Sequence, residues 1–248
     1  MTKVNCLKRI SVILIMCSAM ISTPVIRAAS ILHFDDFTGG GNQVGQALAS
    51  LGQSATVTGH ASFAADLSSQ PWDLVIVDIS QFGISDPNQT ALINYISGGG
   101  RALMSYYDLD TAPSLANAFE ASVALSYDNL PTLYAWDSSH AIFNGVSSPV
   151  TFGPEYLVDN GDELNTLGGG VAIAGFSAAR VSGRAGIILG NAGRTIVNGW
   201  SFDELSGQNG INLVANEIIF LVPEPSTVLL GFAAGLSLWF WRVRYQGR

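Results

Sequence analysis

Acidic side chains stand close behind apolar runs at three places in this sequence. His33, Asp35 and Asp36 follow Ile31-Leu32, Asp78 follows Leu74–Val77, and Asp108 and Asp110 follow Ala102–Met104. Carboxylates set beyond neighbouring strands converge on one sheet edge. There they offer the oxygen ligands that Ca²⁺ or Mg²⁺ prefers, or a pair of groups for acid and base work. Aspartate behind a strand also caps helices and forms turns, and the spacing fits no EF-hand loop. A second chemistry is nucleophilic, with Ser105 attacking and His140 as its base. No Gly-x-Ser-x-Gly pattern surrounds Ser105, and spacing assigns no third partner. Gly39-Gly40-Gly41 ahead of a helix suggests amides held out to an anion, but Gly45 misses the dinucleotide fingerprint and no P-loop Lys follows. Nothing in the spacing gathers His33, His60 and His140 into a zinc site. Tyr106, Tyr107, Tyr127, Tyr134 and Trp136 could rim a saccharide cleft, although aromatic residues serve equally as core.

These residues need a frame. Ser30–Phe34 reads as a short buried strand, and Val44, Ala47, Leu48 and Leu51 recur at helical spacing between Asn42 as N-cap and Gly52. Ala55–Val57 is the next strand, and Phe63, Ala64 and Leu67 make a brief helical turn. Trp72–Asp78 is apolar without alternation, as expected of a central parallel strand. Asp86-Pro87 opens a helix through Ile96 that Gly98-Gly99-Gly100 ends, and Arg101–Met104 is a further strand. Pro113 opens a helix over Ala112–Phe119. Residues 128–162, broken by Pro131, Pro149 and Pro154, place Trp136, His140 and Phe143 on loops. Val171–Phe176, Ala185–Leu189 and Thr195–Gly199 predict antiparallel edge strands, the last two joined by Gly190–Gly193. Ile211, Val214, Ala215, Ile218 and Ile219 predict a closing amphipathic helix. The pattern predicts an α/β fold with a doubly wound, mostly parallel sheet.

The two ends predict export. Lys3, Lys8 and Arg9 precede an apolar stretch over Ile10–Ile21, with cleavage expected between Ala28 and Ala29. At the other end Pro223-Glu224-Pro225 forms an extended spacer, an uncharged run follows over Thr227–Trp241, and Arg242, Arg244 and Arg248 close the chain. As a helix that run reaches only about 22 Å, short of a roughly 30 Å hydrocarbon layer. Residues 29–222 hold four arginines, no lysine and 18 acidic residues, a balance that repels phosphate backbones and excludes nucleic acid as a partner. Cys6 and Cys17 both fall in the leader, so the remainder has no thiol for a disulfide, a nucleophile or a metal.

The order Pro-Glu-Pro, short apolar span and terminal arginines resembles the PEP-CTERM sorting signal of Gram-negative bacteria. That resemblance implies a signal peptide over 1–28, a globular domain over 29–221 and a sorting signal over 222–248 with a transmembrane helix. It also implies signal peptidase and exosortase as processing partners. The chain would cross the inner membrane, stay anchored until the tail is removed, and reach the cell surface or extracellular matrix.

Three stretches of the globular part resemble the class I glutamine amidotransferase-like superfamily, whose fold is flavodoxin-like. They are Trp72–Val77 with its helix and Gly98–Leu103, then Ser139–Val146, then Arg194–Trp200 with its terminal helix. Where the enzymes of that family place a cysteine in a strained turn, this chain reads Met104-Ser105-Tyr106-Tyr107. The resemblance therefore implies a noncatalytic domain, binding or structural, in the setting of exopolysaccharide or biofilm. Its expected ligand cleft is Asp35, Asp36, Asp78, Tyr106 and Asp108, with no cofactor other than Ca²⁺ at those aspartates. The rival expectation is an extracellular hydrolase working through Ser105 and His140 or through the strand-end aspartates.

Overall fold

A run of β-branched and apolar residues with no alternation needs cover on both faces, and Leu74–Ile79 has it, with all six residues buried. The computed structural model describes residues 28–36, 41–126, 132–153 and 161–222. Most of the expected signal peptide and the tail from Pro223, with Pro223, Glu224 and Pro225 themselves, lie outside the described residues. Among the described residues no helix is long and apolar enough to cross a membrane.

In chain order the elements are β1 (Ile31–Asp35), α1 (Gln43–Ser50), β2 (Thr56–Thr58), α2 (Phe63–Ser69), β3 (Leu74–Ile79), α3 (Asp86–Ser97), β4 (Ala102–Tyr106) and α4 (Pro113–Ala118). Then come β5 (Ala121–Leu125), β6 (Thr132–Ala135), β7 (Val150–Thr151), β8 (Glu163–Thr166), β9 (Val171–Gly175), β10 (Ala185–Gly190), β11 (Thr195–Asn198) and α5 (Gly207–Leu221). The sheet runs 2-1-3-4-11-10-9-6-7, with β8 joining β10 to β5. Its first five strands are parallel, in the order of a flavodoxin-like sheet whose last strand comes from far downstream. The order turns back between β1 and β3, which makes their carboxyl ends the switch point of the fold.

Alternate residues of each strand serve opposite layers. Ile31, Ile76, Leu103 and Ile196 pack with Val44, Ala47 and Leu48 of α1 and with Leu213, Val214 and Ile218 of α5. Phe34, Val77, Met104 and Val197 pack on the other face with Phe63 of α2, Leu92 and Ile96 of α3, and Leu115 of α4. Helices on both faces keep the parallel strands dry. The first turn of α3 holds Pro87 at a position with no intrahelical N–H to lose, and Ser85 precedes the helix as its N-cap residue. Gly99 then leaves the helix at φ 94°, a conformation that suits a residue with no Cβ.

The sheet departs from expectation at its C-terminal end. β10 and β11 are interior strands, and β11 is parallel to β4 and antiparallel to β10. All four residues of β11 are buried, which an edge position would not allow. The antiparallel edge is instead β9, β6 and β7. Residues 128–162 contain β6 and β7 as well as loops, and β5 and β8 form a pair that the sequence pattern does not predict.

Candidate functional site

The strand-end aspartates are placed by register. Asp35 of β1 pairs with Asp78 of β3, Asp78 with Ser105 of β4, and Ser105 with Asn198 of β11. In-register residues of parallel strands share a face, so the four form one polar row across the sheet beneath α1 and α5. The row ends at α5, where Asn198 Nδ2 donates to Glu217 Oε2 at 3.1 Å.

Three chain segments close over the switch point. The Asp36 carboxylate accepts from Ser80 N at 2.8 Å, Ser80 Oγ at 3.2 Å, Gln81 N at 3.0 Å and Phe82 N at 2.6 Å, and so fastens the loop after β3. The turn after β11 brings in Asp203, whose carboxylate accepts from the Ser80 hydroxyl and from the Gly41 N–H at the start of α1. Gln43 Nε2 ties α1 to the same turn through the carbonyls of Asp203 and Leu205, at 3.2 and 2.9 Å. Asp78 accepts from the Phe202 N–H, while its Oδ1 is buried without a hydrogen-bond partner.

The electrostatics follow from this crowding. Burial pushes the Asp78 carboxyl well above the usual carboxylate range, and Asp203, Asp35 and Asp36 push it further in that order. Burial likewise raises Asp203 to about 6, with added repulsion from Asp35 and Asp36. His33 lies one side-chain step before Asp35, where burial lowers it to about 4 and leaves it neutral, its Nε2 buried and unpartnered. Glu217 is raised to about 8 by burial, and Asn198 relieves only part of that.

The expected residues divide into two groups. Asp35, Asp36 and Asp78 come together. Asp108 and Tyr106 sit to one side: Asp108 acts on Tyr106, whose hydroxyl is raised to about 12 by burial and stands 3.0 Å from Thr111 Oγ1. Asp110 is held through its backbone by Asp162, whose carboxylate accepts from the Leu109 and Asp110 amides. Tyr134 and Trp136 lie on and just after β6, with β9, β10 and β11 between them and β4, so they form no rim with Tyr106. Tyr127 lies outside the described residues. Among the described residues no group of three or more His, Cys, Asp and Glu side chains is arranged to hold a metal ion. The Gly41 amide is already spent on Asp203, and Gly39 and Gly40 lie outside the described residues.

Ser105 and His140 are not brought together as nucleophile and base. Ser105 is fully buried and its Oγ donates to the Trp200 carbonyl at 2.5 Å. His140 Nδ1 accepts from Ile142 N at 3.3 Å, and its ring packs on Phe220. Ser105→Ala should therefore cost about 1 kcal/mol of stability, measured by urea unfolding, as the loss of one buried hydrogen bond. At the expected cleavage point Ala28 is exposed, and Ala29 packs against the core beneath α1 and α5.

Asp203, Asn198 and Glu217 belong to the site and were missed from sequence. Asp203 stands behind the strand that continues the parallel core, the same signal that marks Asp78. Glu217 lies four residues from both Leu213 and Leu221, which places an acid on the apolar stripe of the last helix.

No family model and no curated protein matches the chain. Several solved structures do. A protein described as one component of a GMP synthase, from Thermoplasma acidophilum, aligns at 15% identity and TM-score 0.53, covering 79% of this chain and 95% of that one. A protein described as ThuA-like from Bacteroides uniformis aligns at 10% identity and TM-score 0.53, covering 82% and 97%. A cold-adapted β-galactosidase from Rahnella aligns at 15% identity and TM-score 0.53 over 80% of this chain but only 33% of its own. At these identities the likeness is one of fold. The domain has an amidotransferase-like, flavodoxin-like architecture.

Proposed function

We propose that this chain is an exported surface or extracellular-matrix protein, processed by signal peptidase and an exosortase, whose amidotransferase-like domain binds a ligand and does not turn it over. One observation carries the noncatalytic part. Where the enzymes of this fold hold a nucleophilic cysteine, the chain has Ser105, fully buried with its hydroxyl donated to Trp200 O. A nucleophile needs a free, exposed side chain beside a base. The export part rests on the charged and apolar leader, the Pro223-Glu224-Pro225 tail and the thiol-free, strongly acidic chain between them. Extracellular polysaccharide is the partner class that this setting favours, and the same fold makes up about a third of a β-galactosidase chain.

The rival reading is an extracellular hydrolase. It draws its support from Asp78 and Asp203, two carboxyl groups with raised and unequal proton affinities at the switch point. Purified chain incubated with polysaccharide and amide substrates should release no product above a buffer control. Turnover that disappears in Asp78→Asn or Ser105→Ala while the fold is retained would replace binding by catalysis.

A further inference from the structure

At the amino ends of the parallel strands, where α5 finishes, stand two of the four arginines of residues 29–222. Arg101 and Arg194 directly precede Ala102 of β4 and Thr195 of β11, which are in register, so the two lie side by side. The end of α5 comes down on both. Arg101 Nη1 donates to the Leu221 carbonyl at 3.0 Å. Phe220 covers Gly193, the residue before Arg194, so closely that a Cβ there would meet its ring at 3.5 Å. Val222 N still donates to Ile218 O at 2.9 Å, while Val222 itself is extended at φ −70° and ψ 126°.

We propose that Arg101 and Arg194 clamp the carboxylate of Glu224, so that the folded domain holds the Pro223-Glu224-Pro225 stretch against its own base.

An acid is what this edge calls for. Arg194 Nη1 is buried and has no hydrogen-bond partner among the described residues, whereas buried donors are nearly always paired and buried charges especially so. Arg194 as a whole is only half-buried, which leaves its guanidinium a way to the outside. Arginines on neighbouring strands also repel each other, and the carbonyl end of α5 offsets that only in part. Asp73 and Glu120, the described acids of this edge, serve other donors. Asp73 accepts from Ser30 N and Ser30 Oγ, both at 2.8 Å, and Glu120 accepts from Asn191 N at 2.8 Å.

Reach and charge select Glu224 as the occupant. It is the only acid after Glu217 in the sequence. Two residues span at most about 7 Å, so its Cα stays within that distance of Val222, next to the Leu221 carbonyl that Arg101 holds. Val222 has the extended ψ that a following proline requires. Prolines on both sides of Glu224 restrict the free segment, so docking it orders little. Tethered so close, the carboxylate acts at an effective concentration on the order of millimolar or more, while the strongly acidic domain repels free anions. The fork of a guanidinium matches both carboxylate oxygens.

The consequence rests on the export reading: an enzyme that grips the Pro-Glu-Pro stretch must first lift Glu224 away, so the folded domain delays its own release. Carbodiimide coupling of an amine to the carboxyl groups of the purified full chain in neutral detergent, read residue by residue by mass spectrometry, tests the contact itself. Glu224 should react about threefold or more slowly in the parent than in Arg194→Gln, while the exposed Asp86 reacts alike in both. The protection should fade in about 0.5 M salt. Arg194→Gln is the deciding variant because it leaves the hydrogen bond from Arg101 to the end of α5 in place. Equal labelling of Glu224 in parent and variant would overturn the clamp. So would binding of phosphatidylglycerol vesicles that needs both arginines while Glu224 labels freely, which would assign the pair to lipid headgroups. In the native host the tail should be lost faster from Arg194→Gln than from the parent. A parent that keeps its tail in every fraction, with the labelling difference intact, would instead sink the export reading and leave the contact standing.

Discussion

Glu217→Gln should raise the stability of the domain by about 4 kcal/mol at around pH 9 and change it little at around pH 4. Glu217 is fully buried on α5 and its carboxyl is raised from 4.5 to about 8, first by burial. The folded state therefore keeps a proton that the unfolded chain releases near pH 4.5. Stability is fully present below that pH, falls as pH rises toward 8, and levels off above it. Glutamine removes the titration. It also puts an N–H₂ group in place of one carboxyl oxygen, where Glu217 Oε1 and the neighbouring Asn198 Oδ1 are both buried and without hydrogen-bond partners. Urea unfolding of parent and variant across this range checks the sign: the two curves should coincide in acid and separate in alkali. Curves that stay parallel throughout would mean that Glu217 is ionised in the fold. Asp78 and Asp203 act in the same direction, because both are raised by burial and by their neighbours. They should leave the Glu217→Gln variant with a weaker fall of its own.

Asp36→Ala carries the second large effect. Its carboxylate holds three consecutive backbone N–H groups and one hydroxyl of the loop that follows β3. Hydrogen bonds to a charged acceptor contribute about 1.5–3 kcal/mol each in buried settings, and less where water can replace them. Gln81 and Phe82 are exposed, so the expected loss is about 3 kcal/mol rather than the full sum. Amide exchange at Ser80, Gln81 and Phe82 should quicken by more than the global loss accounts for, since the loop opens first. The Asp203 carboxyl should at the same time titrate below its present value near 6, because Asp36 is one of the charges that raise it. Unchanged exchange at these three amides would mean that the loop is held by other contacts.

The parallel core was legible because its central strands are continuous apolar runs, and because Pro87 and Gly98–Gly100 punctuate the helix between β3 and β4. β5 and β8 were not. Both are only partly buried, and they pair with each other across some 40 residues, a contact that no local pattern announces. β11 is legible as a strand but not as an interior one, since a buried Thr-Ile-Val-Asn run does not say which neighbour it has. At the site, Asp35, Asp36 and Asp78 were visible as acids behind strands, but their division of labour was not. Whether a carboxylate fastens a loop, as Asp36 does, or stays unsatisfied, as Asp78 Oδ1 does, depends on backbone amides brought from elsewhere. Ser105 shows the same limit in reverse. Its residue type allows a nucleophile, and only its hydrogen bond to Trp200 O assigns it to the interior.

Export remains the premise on which the choice of ligand depends. The intact mass of the chain recovered from its native host, in medium and membrane fractions, tests that premise most directly. A released form that begins near Ala29 and ends near the Pro223-Glu224-Pro225 stretch is the predicted result. A membrane form that retains Arg248, with nothing in the medium, would contradict it and turn the search for partners to the inner membrane.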